Sequence, residues 1–319
     1  MDQFTHQHLP EVQNKSSINN VFIVGLRIHQ NYRLVLFALF MVTYVVTLTC
    51  NLMIILLVFI SKLSQSPMYV LLSNLSLSEM LFTSNIVPPM LYILFRNGAF
   101  FSLAGCFMQF FLFGIFAVTE SFLLSAMSYD RYLAICKPLH YILIMSPRFC
   151  VCLILICWAL AFLIMTISLS EVKTLYFCED NIIDHFYCDL LPILKLSCSN
   201  SATVELVVSF LSFSASVLPF LIIITTYVFI IRAIARISSV KGKEKAFSTC
   251  SSHLGVVSIY YTTLIMVYLV SPGNFVMVNK VLSLLYTVIT PLANPFIYTL
   301  RNKDIKAAIR QTLTTKLKH

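Results

Sequence analysis

The chain has 319 residues, of which 59% are hydrophobic and only 11% charged, with a formal net charge of +9. Soluble domains carry roughly 25% charged residues, so this composition excludes an ordinary water-soluble enzyme or binding domain and indicates a membrane protein. The basic excess is scattered over short segments beside apolar stretches, which argues for a charged membrane face rather than a nucleic-acid surface.

Residues 1–33 are polar and lack the basic stretch, short apolar core and small-residue cleavage site of a secretory signal. They read as an outer tail, with the first span acting as the insertion signal. Asn14-Lys15-Ser16 fits the glycosylation acceptor pattern there. Asn74-Leu75-Ser76 fits it too, but lies inside a span where no glycan could be attached. Seven windows are long and apolar enough to span a bilayer: 34–60, 67–95, 99–129, 149–170, 204–231, 246–270 and 278–300. The predicted fold class is therefore an all-α membrane protein, a seven-transmembrane-helix bundle over 34–300. A short amphipathic C-terminal helix and tail follow over 301–319.

With the N-terminus outside, the inner loops and tail hold fifteen of the 22 Lys and Arg residues, among them Lys62, Arg131, Arg148, Arg236, Lys243 and Arg301. The acids Glu171, Glu179, Asp180, Asp184 and Asp189 fall outside, as the positive-inside rule requires. The expected location is the plasma membrane, with an extracellular N-terminus and a cytoplasmic C-terminus. No repeat of 20 to 50 residues and no matched pair of broken helices appears, which counts against a transporter.

One outer connection, about 171–203, is long for a compact domain. It carries Cys178, Cys188 and Cys198, and Cys106 opens the third span, so four outer cysteines suggest two disulfides with three pairings open. His185, Cys188 and Asp189 also have the spacing of metal ligands, but a disulfide would consume the thiol and no full ligand set is present.

Two carboxylates, Glu79 and Glu120, fall at similar depth, about 18 Å and 16 Å from the inner end at 1.5 Å per residue. Such residues normally face the bundle interior and carry function. They are either protonated and hydrogen-bonded or jointly hold a cation. Asp130 and Arg131 lie at the inner end of the Glu120 face, either as a boundary ion pair or as a latch that a cytoplasmic partner opens. Pro291 and Pro295 flank Asn294 in the last span and predict a kinked helix. Beyond it, Ile305, Ile309, Leu313 and Leu317 recur every four residues among Lys and Arg, as in a helix lying on the inner leaflet.

The stretches "PMYVLLSNLSLSE", "MSYDRYLAIC", "KAFSTCSSHL" and "PLANPFIYTLRN", in this order and on these spans, resemble the odorant receptors among the rhodopsin-like G-protein-coupled receptors. The resemblance runs from about residue 22 to 310. It implies that Arg131 meets the G protein's C-terminal helix, that Asp130 is its resting partner, and that Tyr227 and Tyr298 swing inward beside it. It implies disulfides Cys106–Cys188 and Cys178–Cys198, and a mid-membrane polar site of Glu79, Glu120 and Asn294 that takes a sodium ion. No other cofactor is expected.

The chain departs from the family's usual pattern at Glu79, where Asp is commoner, and at Thr262, where Gly is usual and a stiffer sixth-span pivot is expected. It departs also in its longer N-terminus and in "PLAN" for the more familiar "PMLN". The resemblance further places a ligand site in the outer half of the bundle. Phe113, Gly114, Ala117, Val118, Leu211, Ala215, Leu264 and Leu284 supply an apolar wall there, and Tyr261, Tyr268 and Thr287 supply hydroxyls. Phe113 stands where an amine receptor would carry Asp, and no lysine lies deep in the last span as a retinal protein would need. The expected ligand is a small, neutral or weakly polar odorant held by burial. The expected partners are that odorant, membrane lipid and a heterotrimeric G protein raising cyclic AMP. The rival classes are a transporter or channel and a membrane enzyme, but His253 alone supplies neither a catalytic set nor a polar path.

Overall fold

Apolar runs of this length admit one solution in hydrocarbon, where each backbone N–H and C=O must be satisfied within its own helix. The computed structural model, which describes residues 19–178, 181–269 and 276–316, shows that solution. The long helices are α1 (Gln30–Ile60), α2 (Pro67–Arg96), α3 (Leu103–Cys136), α5 (Pro147–Val172), α7 (Ala202–Arg236) and α8 (Val240–Leu269). The last span is built from α9 (Val276–Leu284), a π-helical turn (Leu285–Ile289) and α10 (Thr290–Arg301). Short helices α4 (Pro138–Ile144) and α6 (Leu190–Leu194) sit in connections, and α11 (Lys303–Lys316) follows the last span. Among the described residues, seven helices are long and apolar enough to cross a membrane.

Helix starts follow local chemistry. Ser102 and Ser146 cap α3 and α5 by accepting the backbone N–H groups of Gly105 and Phe149. Prolines at the first turns of α2, α4 and α5 cost no hydrogen bond there. Helix α3 is the axis of the bundle and packs against α2, α5, α7 and α8. The outward faces of α1, α5 and α7 leave Leu34, Phe59, Leu155, Phe210 and Leu218 exposed, as lipid contact requires.

Three boundaries differ from the sequence reading. Residues 99–102 open the third window as a strand, because Asn97 and Gly98 turn the chain with positive φ before α3 begins. That helix then continues to Cys136, stopped by Lys137-Pro138, so Asp130 and Arg131 lie inside it rather than at its edge. In the last span the break is a widened turn before Pro291, whose missing N–H and bulky ring disturb the preceding helical turn. Thr290 Oγ1 donates to the Leu285 carbonyl within it at 3.2 Å.

Residues 1–33 are not all tail. Strand β1 (Asn20–Ile23) lies between β2 (Ala99–Ser102), to which it is antiparallel, and β3 (Ile182–Ile183), to which it is parallel. The small sheet roofs the end of the bundle that carries the four paired cysteines. Asn14 and Leu317 lie outside the described residues.

Candidate functional site

The two ends of α3 carry different chemistry. At the basic end, the Asp130 carboxylate is fully buried and pairs through Oδ2 with the Arg131 guanidinium, while its Oδ1 accepts the Tyr141 hydroxyl of α4 at 2.8 Å. A buried charge needs this saturation, since a carboxylate stripped of partners would cost several kcal/mol. Nearby, the Tyr227 hydroxyl of α7 lies 2.8 Å from His253 Nδ1 on α8, and His253 Nε2 lies 3.1 Å from the Leu124 carbonyl of α3. A carbonyl only accepts, so Nε2 carries the proton and Tyr227 donates to Nδ1. One imidazole thereby ties three helices together. Tyr298 is 1% exposed, and its hydroxyl finds no hydrogen-bond partner among the described residues.

Midway along the bundle, Asn294 Nδ2 donates to Glu79 Oε1 at 2.6 Å. Glu120 lies within electrostatic range of Glu79, and Asn51 sits beside it. Four buried oxygens here are without hydrogen-bond partners among the described residues: Glu79 Oε2, Glu120 Oε1, Asn294 Oδ1 and Asn51 Oδ1. Buried polar atoms are rarely left so. An all-oxygen set with carboxylates is the donor chemistry of a hard cation, so the residues fit the sodium ion that the resemblance implies.

At the other end, disulfides join Cys106 to Cys188 and Cys178 to Cys198, the two pairs named from the resemblance. The first removes Cys188 from any metal reading of His185, Cys188 and Asp189. It draws the long connection down onto α3, where Gln109 Oε1 accepts the Cys188 backbone N–H at 2.8 Å. Gln109 also exchanges hydrogen bonds with Asn85 of α2. His185 stacks on Phe186 and meets Tyr187 edge-on, Phe186 and Tyr187 lie tilted against each other, and the Tyr187 ring lies 5.2 Å from Phe113. Phe113 also meets Phe82 at 5.3 Å and Tyr286 at 6.2 Å.

The residues assigned to the ligand wall divide. Phe113 is buried in this aromatic cluster, and Ala117, Val118, Leu211, Leu264 and Leu284 remain half-buried within the bundle. Ala215 is buried, its carbonyl accepting Ser121 Oγ at 3.2 Å. At Gly114 a Cβ would meet Met165 Sδ of α5 at 2.2 Å, so the missing side chain lets these two helices approach closely. Two expected hydroxyls are already engaged. Thr287 Oγ1 donates to the Ser283 carbonyl, and the Tyr261 hydroxyl meets Ser121 Oγ at 3.0 Å and the Ser216 carbonyl at 3.4 Å. The Tyr268 side chain lies outside the described residues. Thr262 is exposed on the outer face of α8, beside a groove of about 220 Å³ that opens between α7 and α8.

Sequence reasoning missed Tyr141, Gln109, Tyr187, Tyr260 and Tyr286. Their roles depend on partners from distant segments: Tyr260, for example, donates to the Ala117 carbonyl of α3 at 2.9 Å. In the sequence His253 stands alone near the inner end of its span, and its partners Tyr227 and Leu124 lie on other helices.

Residues 40–316 match the family model described as olfactory receptor. Olfactory receptor 1468 of Rattus norvegicus is 42% identical over 95% of this chain and 97% of its own. Olfactory receptor 1E16 of Mus musculus is 43% identical over 94% and 96%, and olfactory receptor 1E1 of Homo sapiens 41% over 95% and 97%. Among solved structures, squid rhodopsin superimposes with a TM-score of 0.71 over 89% of this chain and 81% of its own, at 18% identity. Seven spanning helices on this frame, with a buried acid-arginine pair inside the third, give the chain the rhodopsin-like fold. The chain belongs to the olfactory receptor family, whose members signal rather than catalyse.

Proposed function

We propose that this receptor binds a small, mostly apolar, uncharged odorant beneath the disulfide-tied loop and activates a heterotrimeric G protein of the stimulatory type. In this reading the protein lies in the plasma membrane with its N-terminus and sheet outside, Asn14 glycosylated, and the Asp130–Arg131 end in the cytoplasm. The observation that carries it is the polarity of α3. One end presents Phe113 among aromatic rings. The other, about 27 Å away at 1.5 Å per residue, presents a guanidinium held by a buried acid.

Odorant binding beneath the loop is favoured by apolar burial, with few polar groups left to fix orientation. Between the ends, Glu79, Glu120 and Asn294 would hold a sodium ion, whose charge would offset the two buried carboxyl groups. Arg131, once released by Asp130, contacts the G protein, and Tyr227 and Tyr298 move to line the opened cavity. The reading is tested with an odorant panel on transfected cells and a cyclic AMP readout. Wild-type receptor should respond to neutral odorants. Phe113→Asp, which puts an unpaired carboxylate into the aromatic cluster, should lose that response at equal surface density. Unchanged odorant potency in this variant would place the site elsewhere.

A further inference from the structure

The stretch "PMYVLLSNLSLSE" opens α2, and its tyrosine has no part in the cytoplasmic site described above. Tyr69 is 7% exposed, and its hydroxyl lies 2.7 Å from Asp304 Oδ2 and 3.1 Å from Asn302 Oδ1. These acceptors form the joint between the last span and α11. Asn302 closes α10 by donating its backbone N–H to the Tyr298 carbonyl, while its side chain caps α11 by accepting the N–H groups of Asp304 and Ile305. Asp304 stands in the first turn of α11, where a carboxylate complements the helix dipole. A phenol has one proton to give, and Asn302 Oδ1 already accepts two backbone groups, so the proton goes to Asp304.

The apolar stripe of α11 is not all for lipid. Ile305 is 1% exposed and Ala308 is buried, so the start of this helix is packed against protein. Tyr69 therefore adds a side-chain tether to a helix also held by the Asn302 joint and by the packing of Ile305 and Ala308. It also lies within electrostatic range of Arg131. Reorienting α11 would thus alter the rim of the face that carries Arg131.

We propose that Tyr69 is a positioning residue for G-protein coupling, its hydroxyl mooring α11 to the cytoplasmic end of α2 through Asp304. The proposal rests on the coupling reading above, so its test includes a measurement that needs no G protein. In purified receptor in lipid nanodiscs, the α11 amides of residues 305–311 should exchange hydrogen about tenfold faster in Tyr69→Phe, the scale of one lost hydrogen bond to a charged group. Exchange in α10 should be unchanged. In cells at equal surface density, Tyr69→Phe should shift odorant potency for cyclic AMP about tenfold to the right, with odorant affinity of the nanodisc receptor unaltered. Asp304→Ala should do the same, and the double variant should lose no more than either single.

Unaltered α11 exchange in Tyr69→Phe, or losses that multiply in the double variant, would overturn the mooring. Faster exchange with unshifted coupling would overturn the positioning role. Wild-type receptor that raises no cyclic AMP with any odorant would sink the coupling reading instead, while exchange still decides the mooring.

Discussion

Asp130 shows how much one side chain can carry. It has no exposed surface, yet it pairs with the Arg131 guanidinium and accepts a hydroxyl from Tyr141. If Arg131 is a latch, its two sides should fail in opposite directions. Asp130→Asn weakens the hold, and a bias of about 1.4 kcal/mol changes the closed-to-open ratio tenfold, visible as ligand-free cyclic AMP. Arg131→Ala should instead abolish signalling while odorant still binds. A purely structural pair predicts parallel loss of expression and response in both variants, and basal and stimulated cyclic AMP per surface receptor separates the two outcomes. The pair itself was legible, because two charges ending an apolar run stand out. Tyr141 and His253 were not legible as partners, since the carboxylate, Tyr227 and the Leu124 carbonyl reach them from other helices.

At the scale of elements, hydropathy located all seven spans because the bilayer requires about 20 apolar residues per helix. It could not find the π-helical turn at Leu285–Ile289, a response to Pro291 that depends on how the freed carbonyls are satisfied. Nor could residue spacing choose among three disulfide pairings. The two bridges close very different lengths, 82 residues for Cys106–Cys188 and 20 for Cys178–Cys198. On chain entropy alone the longer bridge contributes about 1.2 kcal/mol more, and it also seats Tyr187 on Phe113. Cys106→Ser and Cys188→Ser should therefore reduce surface delivery and response more than Cys178→Ser. Flow cytometry with an outer epitope tag checks the order, and a more damaging Cys178→Ser would contradict it.

The whole molecule is closed at the disulfide end by segments from three parts of the chain. Lys280, 2% exposed on α9, donates to the Gly25 carbonyl at 2.7 Å and to Asp184 Oδ1 at 2.6 Å, and Arg27 reaches Asp184 Oδ2 at 3.2 Å. Gly25 and Gly98 are required there: each has positive φ, and a Cβ would meet Ile93 or the Phe22 ring at under 3 Å. Beneath this closure His185 is neutral, its pKa pushed down from 6.5 to about 3 by burial first and then by the Lys280 ammonium, against the pull of Asp184. A depressed histidine adds stability that is complete above the unfolded pKa of 6.5 and is lost as pH falls toward the folded value. Nearby Asp189, raised by burial, acts in the opposite sense. Lowering the pH from about 7.5 to about 5.5 should cost roughly 1.4 kcal/mol through His185. The cost should appear as reduced thermal stability in nanodiscs, and His185→Phe should remove it. An identical acid loss in that variant would show that other groups govern the closure.

What the sequence determined by itself was the membrane, the number of spans, the family and the charged pair on α3. Each is a local signal, a run of apolar residues or a motif of a dozen, and hydrocarbon converts such runs into helices whatever their neighbours. Only the tertiary structure decided that residues 19–28 join the roof, that Gly114 meets Met165, and that the Tyr261 hydroxyl is spent on Ser121. It alone brought Tyr69 to Asp304. Those contacts join residues up to 255 positions apart, and nothing along the chain records which helix faces will meet. Packing selects them, because a buried hydroxyl, ammonium or carboxylate must find its partner wherever the bundle places one.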